Sequence, residues 1–487
     1  MENVCVELRH VEISFLDREV LNIDRLAIHQ FDRIGIVGRN GAGKSTLLKL
    51  IAGRMKPDKG IVKKLIDFAY FEQLTEAQDK NGDYKLMGEL SVPEIETRHF
   101  SGGEHTRMKL AGLFSNYHEG LLIDEPTTHL DEEGRQFLLD ELKYYYGALV
   151  IVSHDRYVMD ELVTKIWEID DGRVTEYTGH YSDYVEQKEL EKRQQQEQHE
   201  QYLKEKSRLL KAADEKMKKA GKVTQASKRV SKTEVKDSAN RMFMTKSKGT
   251  AQKGIERSAK ALEQRVEQLE KVEAPKEEKG IRFHIPKALQ LHNKFPVMAD
   301  RLTLRAGEKL LLDEASFQFP LGRTIAITGA NGTGKTTLLH HILKGGEGLS
   351  ISPKAVIGAY NQMDYRFKKD ESVIRFMKER SDYEEGKIRA ALDAMGFNGN
   401  DLKKDVRTLS GGEAIRIVLC QLFLGRYNIL ILDEPTNFLD VYCIEALERF
   451  LEGYPGTVLL VSHDRTFVRR VADDVYVLKE QQLRLQN

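Results

Sequence analysis

The sequence predicts an α/β protein of two tandem domains, each built on a parallel sheet, joined by a long antiparallel helical hairpin. Three observations predict it. The chain has 487 residues, more than one core usually organises, so two or three compact units are expected. One set of short motifs occurs twice in the same order, as in a duplicated domain. Between the copies lies a stretch poor in Gly and Pro and rich in Glu, Lys, Gln and Arg, the composition of long exposed helices.

The repeat opens with GRNGAGKST at Gly38 and GANGTGKTT at Gly329, each after an apolar run, RIGIV and TIAIT, of the kind that forms a buried parallel strand. FSGGE at Phe100 answers LSGGE at Leu409, LLIDEPTTHLD answers LILDEPTNFLD, and VIVSHDR answers LLVSHDR. Ser101 and Ser410, Asp124 and Asp433, and His154 and His463 are all 309 positions apart, whereas Gln73 and Gln362 are 289 apart. The second copy therefore holds 20 more residues between its Gln and its SGG segment. The expected boundaries are a first domain over 1–183, a linker over 184–284 and a second domain over 285–487.

Within the linker, Ile255, Leu262, Val266 and Leu269 are spaced 7, 4 and 3 apart, a narrow seam of the kind a two-helix coiled coil buries. Gly221, the Ser/Thr-rich stretch to Ser247, and Gly249 are expected to break the pattern and form the hairpin tip. Two helices of roughly 30 residues each would then project about 45 Å at about 1.5 Å per residue.

Lys+Arg and Asp+Glu both total 76, so whole-chain charge says nothing about partners, but residues 211–260 hold 15 Lys/Arg against 5 Asp/Glu. Alternating signs would serve a solvated face better than this excess, which suits nucleic-acid phosphates. In that polar stretch Arg241-Met242-Phe243-Met244 is a compact apolar group; it either caps the coiled coil or touches a functional site. Cys5, Cys420 and Cys443 are far apart and in no metal-ligand spacing, as in a reduced cytosolic protein. No stretch approaches the roughly 20 apolar residues needed to cross a bilayer, and the start, MENVCVELRHVEISF, lacks a secretory pattern. A cytoplasmic protein without membrane insertion is expected.

Gly38 to Ser45 fits G-x-x-x-x-G-K-[ST] at a strand-to-helix junction, and Gly329 to Thr336 does the same. Candidate nucleotide-binding residues are Gly38, Asn40, Gly41, Gly43, Lys44, Ser45 and Thr46, and in the second copy Gly329, Asn331, Gly332, Gly334, Lys335, Thr336 and Thr337. Glycines let backbone N–H groups turn toward phosphates, the helix N-terminus favours negative charge, the lysine reaches the β/γ oxygens, and the hydroxyl can ligate Mg²⁺. Each LLI or LIL run ends in a carboxylate pair, Asp124-Glu125 and Asp433-Glu434. The first acid can hold Mg²⁺, and the second can orient and deprotonate the attacking water. His154 and His463 would contact the γ-phosphate and hold the catalytic glutamate.

Taken together, the phosphate loop, the glutamine after a strand (Gln73, Gln362), SGGE, DEPT and SHD resemble the ATP-binding-cassette family over essentially all of both repeats. SGGE discriminates, since other P-loop ATPases lack it. The resemblance implies an ATP hydrolase with two ATP and two Mg²⁺ at composite sites. One site combines Lys44, Ser45, Gln73, Asp124, Glu125 and His154 with Ser410, Gly411 and Gly412. The other combines Lys335, Thr336, Gln362, Asp433, Glu434 and His463 with Ser101, Gly102 and Gly103. Gln73 and Gln362 join Ser45, Thr336 and the two aspartates as Mg²⁺ candidates. The family usually stacks an aromatic on adenine; Phe15 suits this or is strand core, and the matching TLRAGEK stretch near Leu304 has none. Asp131 and Asp440 are kept in both motifs, so contact across the domains is expected to be retained, but Phe438 in NFLD replaces His129 of THLD, so the two sites need not turn over equally.

Fused cassettes, no membrane segment, a long charged hairpin and the entry GHYSDYVEQKE, with Tyr181 and Tyr184 one turn apart, resemble the ABC-F proteins, which act on ribosomes. The interval between Gln73 and Ser101 is only 28 positions, and the chain ends about two dozen residues after His463. A missing arm and missing extension beside a long linker resemble the antibiotic-resistance branch, most closely the Msr macrolide-resistance proteins and in particular their D type. That implies a bacterial ribosome as partner, near 23S rRNA and tRNA, and no DNA. The linker tip, Arg241, Met242 and Phe243, would lie near the tRNA exit site and peptidyl-transferase centre. The chain would be a monomer with an intramolecular cassette dimer, cytoplasmic and ribosome-associated. A housekeeping ABC-F translation factor and a transporter ATPase subunit are the alternatives. The tyrosines would pack the first helical turn onto the cassette.

Overall fold

A computed structural model describes residues 3–15, 18–72, 102–127, 130, 132–230, 238–274, 281–360, 367 and 369–486. The chain forms two compact units, Met1–Tyr184 together with Lys279–Asn487, and Val185–Glu278. The first unit contains both repeats, and the second is the linker.

In the first repeat the order is β1 (Val4–Phe15), β2 (Arg18–His29), β3 (Arg33–Gly38), α1 (Lys44–Ala52), β4 (Lys59–Lys64), β5 (Phe68–Phe71), α2 (Gly102–Phe114), β6 (Gly120–Asp124), α3 (Glu132–Tyr144), β7 (Ala148–Val152), α4 (Arg156–Leu162), β8 (Lys165–Asp170) and β9 (Arg173–Thr178). The sheet order β5-β6-β7-β3-β8-β9 is parallel except for the hairpin partner β9. Every residue of β6 and β7 is buried, which is why GLLID and ALVIV read as unbroken apolar runs: helices cover both faces of a parallel sheet. A separate antiparallel sheet, β2-β1-β4, closes a core with α1 through Leu8, Leu47 and Ile51. The phosphate loop therefore leaves the middle of the parallel sheet, anchored on both sides by β7 and β8.

The linker unit continues α5 (Tyr181–Val230), of 50 residues, and α6 (Ser238–Glu267), of 30. The expected pair of equal helices is corrected here, because helical backbone runs straight through Gly221 and Gly249. One Gly costs about 1 kcal/mol against Ala in a helix interior, too little to end a long run of strong helix formers. At about 1.5 Å per residue α5 is roughly 75 Å long. Arg241, Met242 and Phe243 fall within the first turns of α6 rather than in a loop. The seam is real and one member fuller than expected: Ala259, wholly buried, fills the gap between Ile255 and Leu262 and completes an alternating 4, 3 spacing. Across it Leu209 and Ala213 of α5 are buried. His199 Nδ1 lies 2.7 Å from the Val272 carbonyl, and Lys216 donates to Ser258 Oγ. Rising positions thus meet falling ones, as antiparallel packing requires.

The second repeat runs β10 (Val297–Ala306), β11 (Lys309–Phe319), β12 (Thr324–Thr328), α7 (Lys335–Leu343), β13 (Leu349–Ile351), β14 (Ile357–Tyr360), α8 (Val373–Glu379), α9 (Glu385–Ala394), α10 (Gly411–Leu424), β15 (Ile429–Asp433), α11 (Val441–Glu452), β16 (Thr457–Val461), α12 (Arg465–Val471), β17 (Asp474–Lys479) and β18 (Gln482–Gln486). Its sheet, β14-β15-β16-β12-β17-β18, repeats the first. The 20 extra residues fall in the stretch that builds α8 and α9, whose Phe376 and Leu392 join Phe423 and Phe450 in one core. Ile281 and Phe283 already pack there, Phe283 lying 5.4 Å from the Phe423 ring. The second repeat thus recruits chain from just before the expected boundary at 285.

Candidate nucleotide sites

Each phosphate loop is built from the same strained turn. Gly43 and Gly334 cap α1 and α7 at φ 106 and 109 with no side-chain capping bond. A Cβ on Gly43 would stand 3.0 Å from Val20, and one on Gly334 3.0 Å from Leu311. Only glycine supplies that backbone in that space, and the uncapped first-turn N–H groups remain for an anion. Lys44 Nζ donates to the Gly38 carbonyl at 2.7 Å, as Lys335 does to Gly329. Burial holds the Lys44 ammonium below its ordinary range against the pull of Glu125, Asp440 and Asp124. Asn40, Gly41, Asn331 and Gly332 line a cavity of about 1310 Å³ with Thr336 and Thr337.

The carboxylate pairs end β6 and β15. Burial raises the Asp124 and Asp433 carboxyls, and hydrogen bonds from Ser45 and Thr336 pull each back. Hydroxyl and acid therefore already converge as a divalent-cation pair would need. Glu125 and Glu434 both sit at φ 50, a costly region for a non-glycine residue. Each is pinned by its own N–H, which donates to Val152 at 2.9 Å or Val461 at 2.8 Å. The His154 and His463 backbone N–H groups donate to Glu125 and Glu434 Oε2 at 3.3 Å. Their rings lie 3.2 and 3.5 Å from Oε1. Burial is the main reason that Glu125 is raised, Glu434 is pushed up to about 7 and the His154 imidazole is held neutral. Among the described residues Glu125 Oε1, Glu434 Oε1 and Asp433 Oδ1 are buried without a hydrogen-bond partner, an arrangement that fits a cation and an attacking water better than a sealed core.

Segments of the second cassette lie on the loop of the first. Asn40 N–H donates to Asp440 Oδ2 at 2.6 Å, and Asn40 Nδ2 donates to the Phe438 carbonyl at 3.2 Å. Gly412, in the signature helix α10, stands close enough that a Cβ there would be 4.0 Å from Asn40 Nδ2. Ser410 caps α10 in a capping box with Glu413, so Gly411 and Gly412 form its first turn. Gly102 and Gly103 open α2 likewise. Gln73, Gln362, Ser101, His129 and Asp131 lie outside the described residues.

A family profile described as ABC transporter matches residues 21–81 and 312–437, and a second profile of that description matches 167–241. The erythromycin resistance ATP-binding protein MsrA of Staphylococcus epidermidis is 41% identical over 99% of this chain and 99% of its own. The ribosome protection protein VmlR of Bacillus subtilis is 34% identical over 97% of this chain and 86% of its own. Among solved structures, an RNase-L inhibitor shares the tandem fold at TM-score 0.63 and 19% identity, covering 98% of this chain and 88% of that one. The chain belongs to the ABC-F family of ATPases. Its reaction is ATP hydrolysis, for which ABC ATPases use Mg²⁺. Among the described residues no helix of the ABC-F chain is long and apolar enough to cross a membrane.

Several features of this ABC-F site were not read from sequence. Phe15 is 47% exposed at the end of β1, which removes the strand-core alternative. Its counterpart by loop register is Ala306, beside which Lys309 Nζ donates to the Gly332 carbonyl at 2.9 Å. Across the cassettes, buried Arg156 donates to Glu448 at 2.8 Å, and Arg470 adds a bond at 3.0 Å. The signal available was the acid at position 448 in the helix VYCIEALERFLE, where the first repeat has Leu139.

Proposed function

We propose that this ABC-F ATPase binds two ATP–Mg²⁺ pairs between its own cassettes, associates with the bacterial ribosome when they are bound, and protects it from macrolide-type antibiotics. The Asn40–Asp440 bond at 2.6 Å supports the composite-site half of this reading, because it brings a second-cassette loop to the first-cassette phosphate turn. The drug half rests on similarity to an erythromycin-resistance protein that extends over 99% of both chains.

In the first site Gly41, Gly43, Lys44 and Thr46 hold the phosphates, with Phe15 against the adenine and Ser410 and Gly412 arriving from the other cassette. Mg²⁺ would be held by Ser45, Asp124 and Gln73, and supplies charge neutralisation of the transferring phosphoryl group. Glu125 orients the attacking water and accepts its proton. His154 fixes Glu125 through its backbone N–H and turns its ring toward the γ-phosphate position. The second site uses Lys335, Thr336, Gln362, Asp433, Glu434 and His463, with Ser101, Gly102 and Gly103.

The basic segment 211–260 supplies phosphate contacts on rRNA, and Arg241, Met242 and Phe243 approach the tRNA and peptidyl-transferase region. The protein acts as a monomer in the cytoplasm. Drug susceptibility of a sensitive host carrying the gene, together with ribosome co-sedimentation with and without ATP, tests the reading. Ribosome binding without any gain in macrolide tolerance would instead make it a housekeeping translation factor.

A further inference from the structure

Glu168 is an acid in the middle of β8, only 6% exposed. It stands opposite Val37, the residue before the first glycine of the phosphate loop. At the same register in the second cassette, opposite Thr328, stands Val477. A carboxylate removed from water is strongly unfavourable unless its oxygens accept hydrogen bonds. Here three tyrosine hydroxyls donate. Tyr177 of β9 reaches Oε2 at 3.3 Å. Tyr184, in the first turn of α5, and Tyr442, in the first turn of α11, share Oε1 at 2.8 and 3.0 Å.

The three donors belong to different parts of the machine. Tyr442 comes from the second cassette, two residues after Asp440, which takes the Asn40 N–H at 2.6 Å. Its ring also lies 5.6 Å from the Arg39 guanidinium of the same phosphate loop. Tyr184 belongs to the root of the linker helix, which buries Tyr181 as well. Among the described residues the pseudo-repeat holds no second copy of this cluster: 309 positions before Tyr442 stands Glu133, on the surface.

We propose that Glu168 is a positioning residue that couples closure of the second cassette over the Lys44 site to the anchoring of the linker root, and that the Lys335 site lacks this connection. With Tyr442 seated, Oε1 is dry and the Tyr184 bond forms without competition from water. Withdrawal of α11 admits water to Oε1 and loosens Tyr184. Linkage makes the effect reciprocal: whatever fixes the first turn of α5 raises nucleotide affinity at the Lys44 site and leaves the Lys335 site unchanged. The inference rests on the assignment of ATP to the Lys44 site.

Hydrogen exchange of residues 180–190 in the full chain, with and without Mg²⁺ and a non-hydrolysable ATP analogue, tests it. Analogue binding should slow exchange there roughly tenfold, the scale of one hydrogen bond to a charged group. The slowing should survive Lys335→Ala and disappear in Lys44→Ala. Tyr442→Phe keeps the ring under Arg39 and should lose the slowing while binding analogue normally at the Lys335 site. Tyr184→Phe, which cuts the same junction from the linker side, should do likewise. Glu168→Gln, which keeps an acceptor oxygen, should retain the response that Glu168→Val loses. Full slowing in both Phe variants, or a response carried by Lys335 and not Lys44, would overturn the coupling. Absence of analogue binding in the unsubstituted protein, measured on the same samples, would instead overturn the site assignment and the inference with it.

Discussion

Asp440 and Asn40 are 400 positions apart, yet the Asn40 N–H donates to Asp440 Oδ2 at 2.6 Å. The same carboxylate caps α11 through Oδ1, accepting the Cys443 N–H at 2.9 Å. One side chain therefore fixes the start of a second-cassette helix and reaches across to the first-cassette phosphate loop. The Asn40 loop and the start of α11 share one carboxylate.

Asp440→Ala should lose both bonds: stability falls by about 1 kcal/mol for the missing cap, and turnover at the Lys44 site falls with it. Asp440→Asn keeps one oxygen for the cap but turns an amide donor toward the Asn40 donor. It should retain near-native stability with turnover reduced roughly tenfold, the cost of about one unmade hydrogen bond. Urea denaturation and ATPase rates, both in a Glu434→Gln background that silences the other site, separate the two effects. Equal rates in Asp440→Asn and its parent would show that the cross-cassette bond is idle.

Replacing both Glu125 and Glu434 with Gln should abolish turnover and leave ATP binding intact. The substitution preserves shape, and the backbone N–H bonds from His154 and His463 at 3.3 Å can be kept by an amide oxygen. What is lost is the base. Single-turnover hydrolysis and equilibrium nucleotide binding on the double variant provide the check; near-native hydrolysis would remove these residues from the catalytic role.

Arg156 and Glu448 form a buried pair across the cassettes at 2.8 Å. Among the described residues Arg156→Met leaves Glu448 with the half-exposed Arg470 at 3.0 Å, so the loss should fall short of the about 3–5 kcal/mol that a fully stranded buried charge costs. The double change Arg156→Met with Glu448→Leu should cost less than the single one, because Leu already stands at the matching position 139. Denaturation midpoints of wild type, single and double variants test the order. A double variant less stable than the single would show that the charges stabilise the interface outright.

What could be read from the chain was what is local. GRNGAGKST and GANGTGKTT fix loop, helix start and ligand groups within nine consecutive residues. SGGE is at once a signature and the S-x-x-E pattern of a capping box, which Ser410 and Glu413 form. That the repeats meet was legible from SGGE and from the acids Asp131 and Asp440, but the partners were not: Arg156 meets Glu448 across 292 positions and Asn40 meets Asp440 across 400, and such pairs exist only after two folded cassettes pack. The hairpin failed in the opposite way. Gly221 and Gly249 looked like breaks, but a local penalty of about 1 kcal/mol loses to the summed preference of a 50-residue or 30-residue helix.

Ribosome affinity and drug protection should be separable within the linker. Residues 211–260 carry 15 basic against 5 acidic side chains, and each phosphate contact adds to the salt dependence of binding. Neutralising Lys216, Lys218, Lys219, Lys228 and Arg229 together should weaken ribosome co-sedimentation and flatten its dependence on salt. Changing Arg241, Met242 and Phe243 to Ala removes one charge and two apolar side chains from the first turns of α6, so it should leave ATP-dependent association largely intact. Protection against a macrolide should nonetheless fall, because this is the compact apolar group of that basic stretch and the part suited to a packed, non-phosphate surface. Co-sedimentation and drug susceptibility measured on the same two variants decide the matter. Full protection with the triple Ala change would move the protective action to the cassettes, with the linker serving only as an RNA anchor.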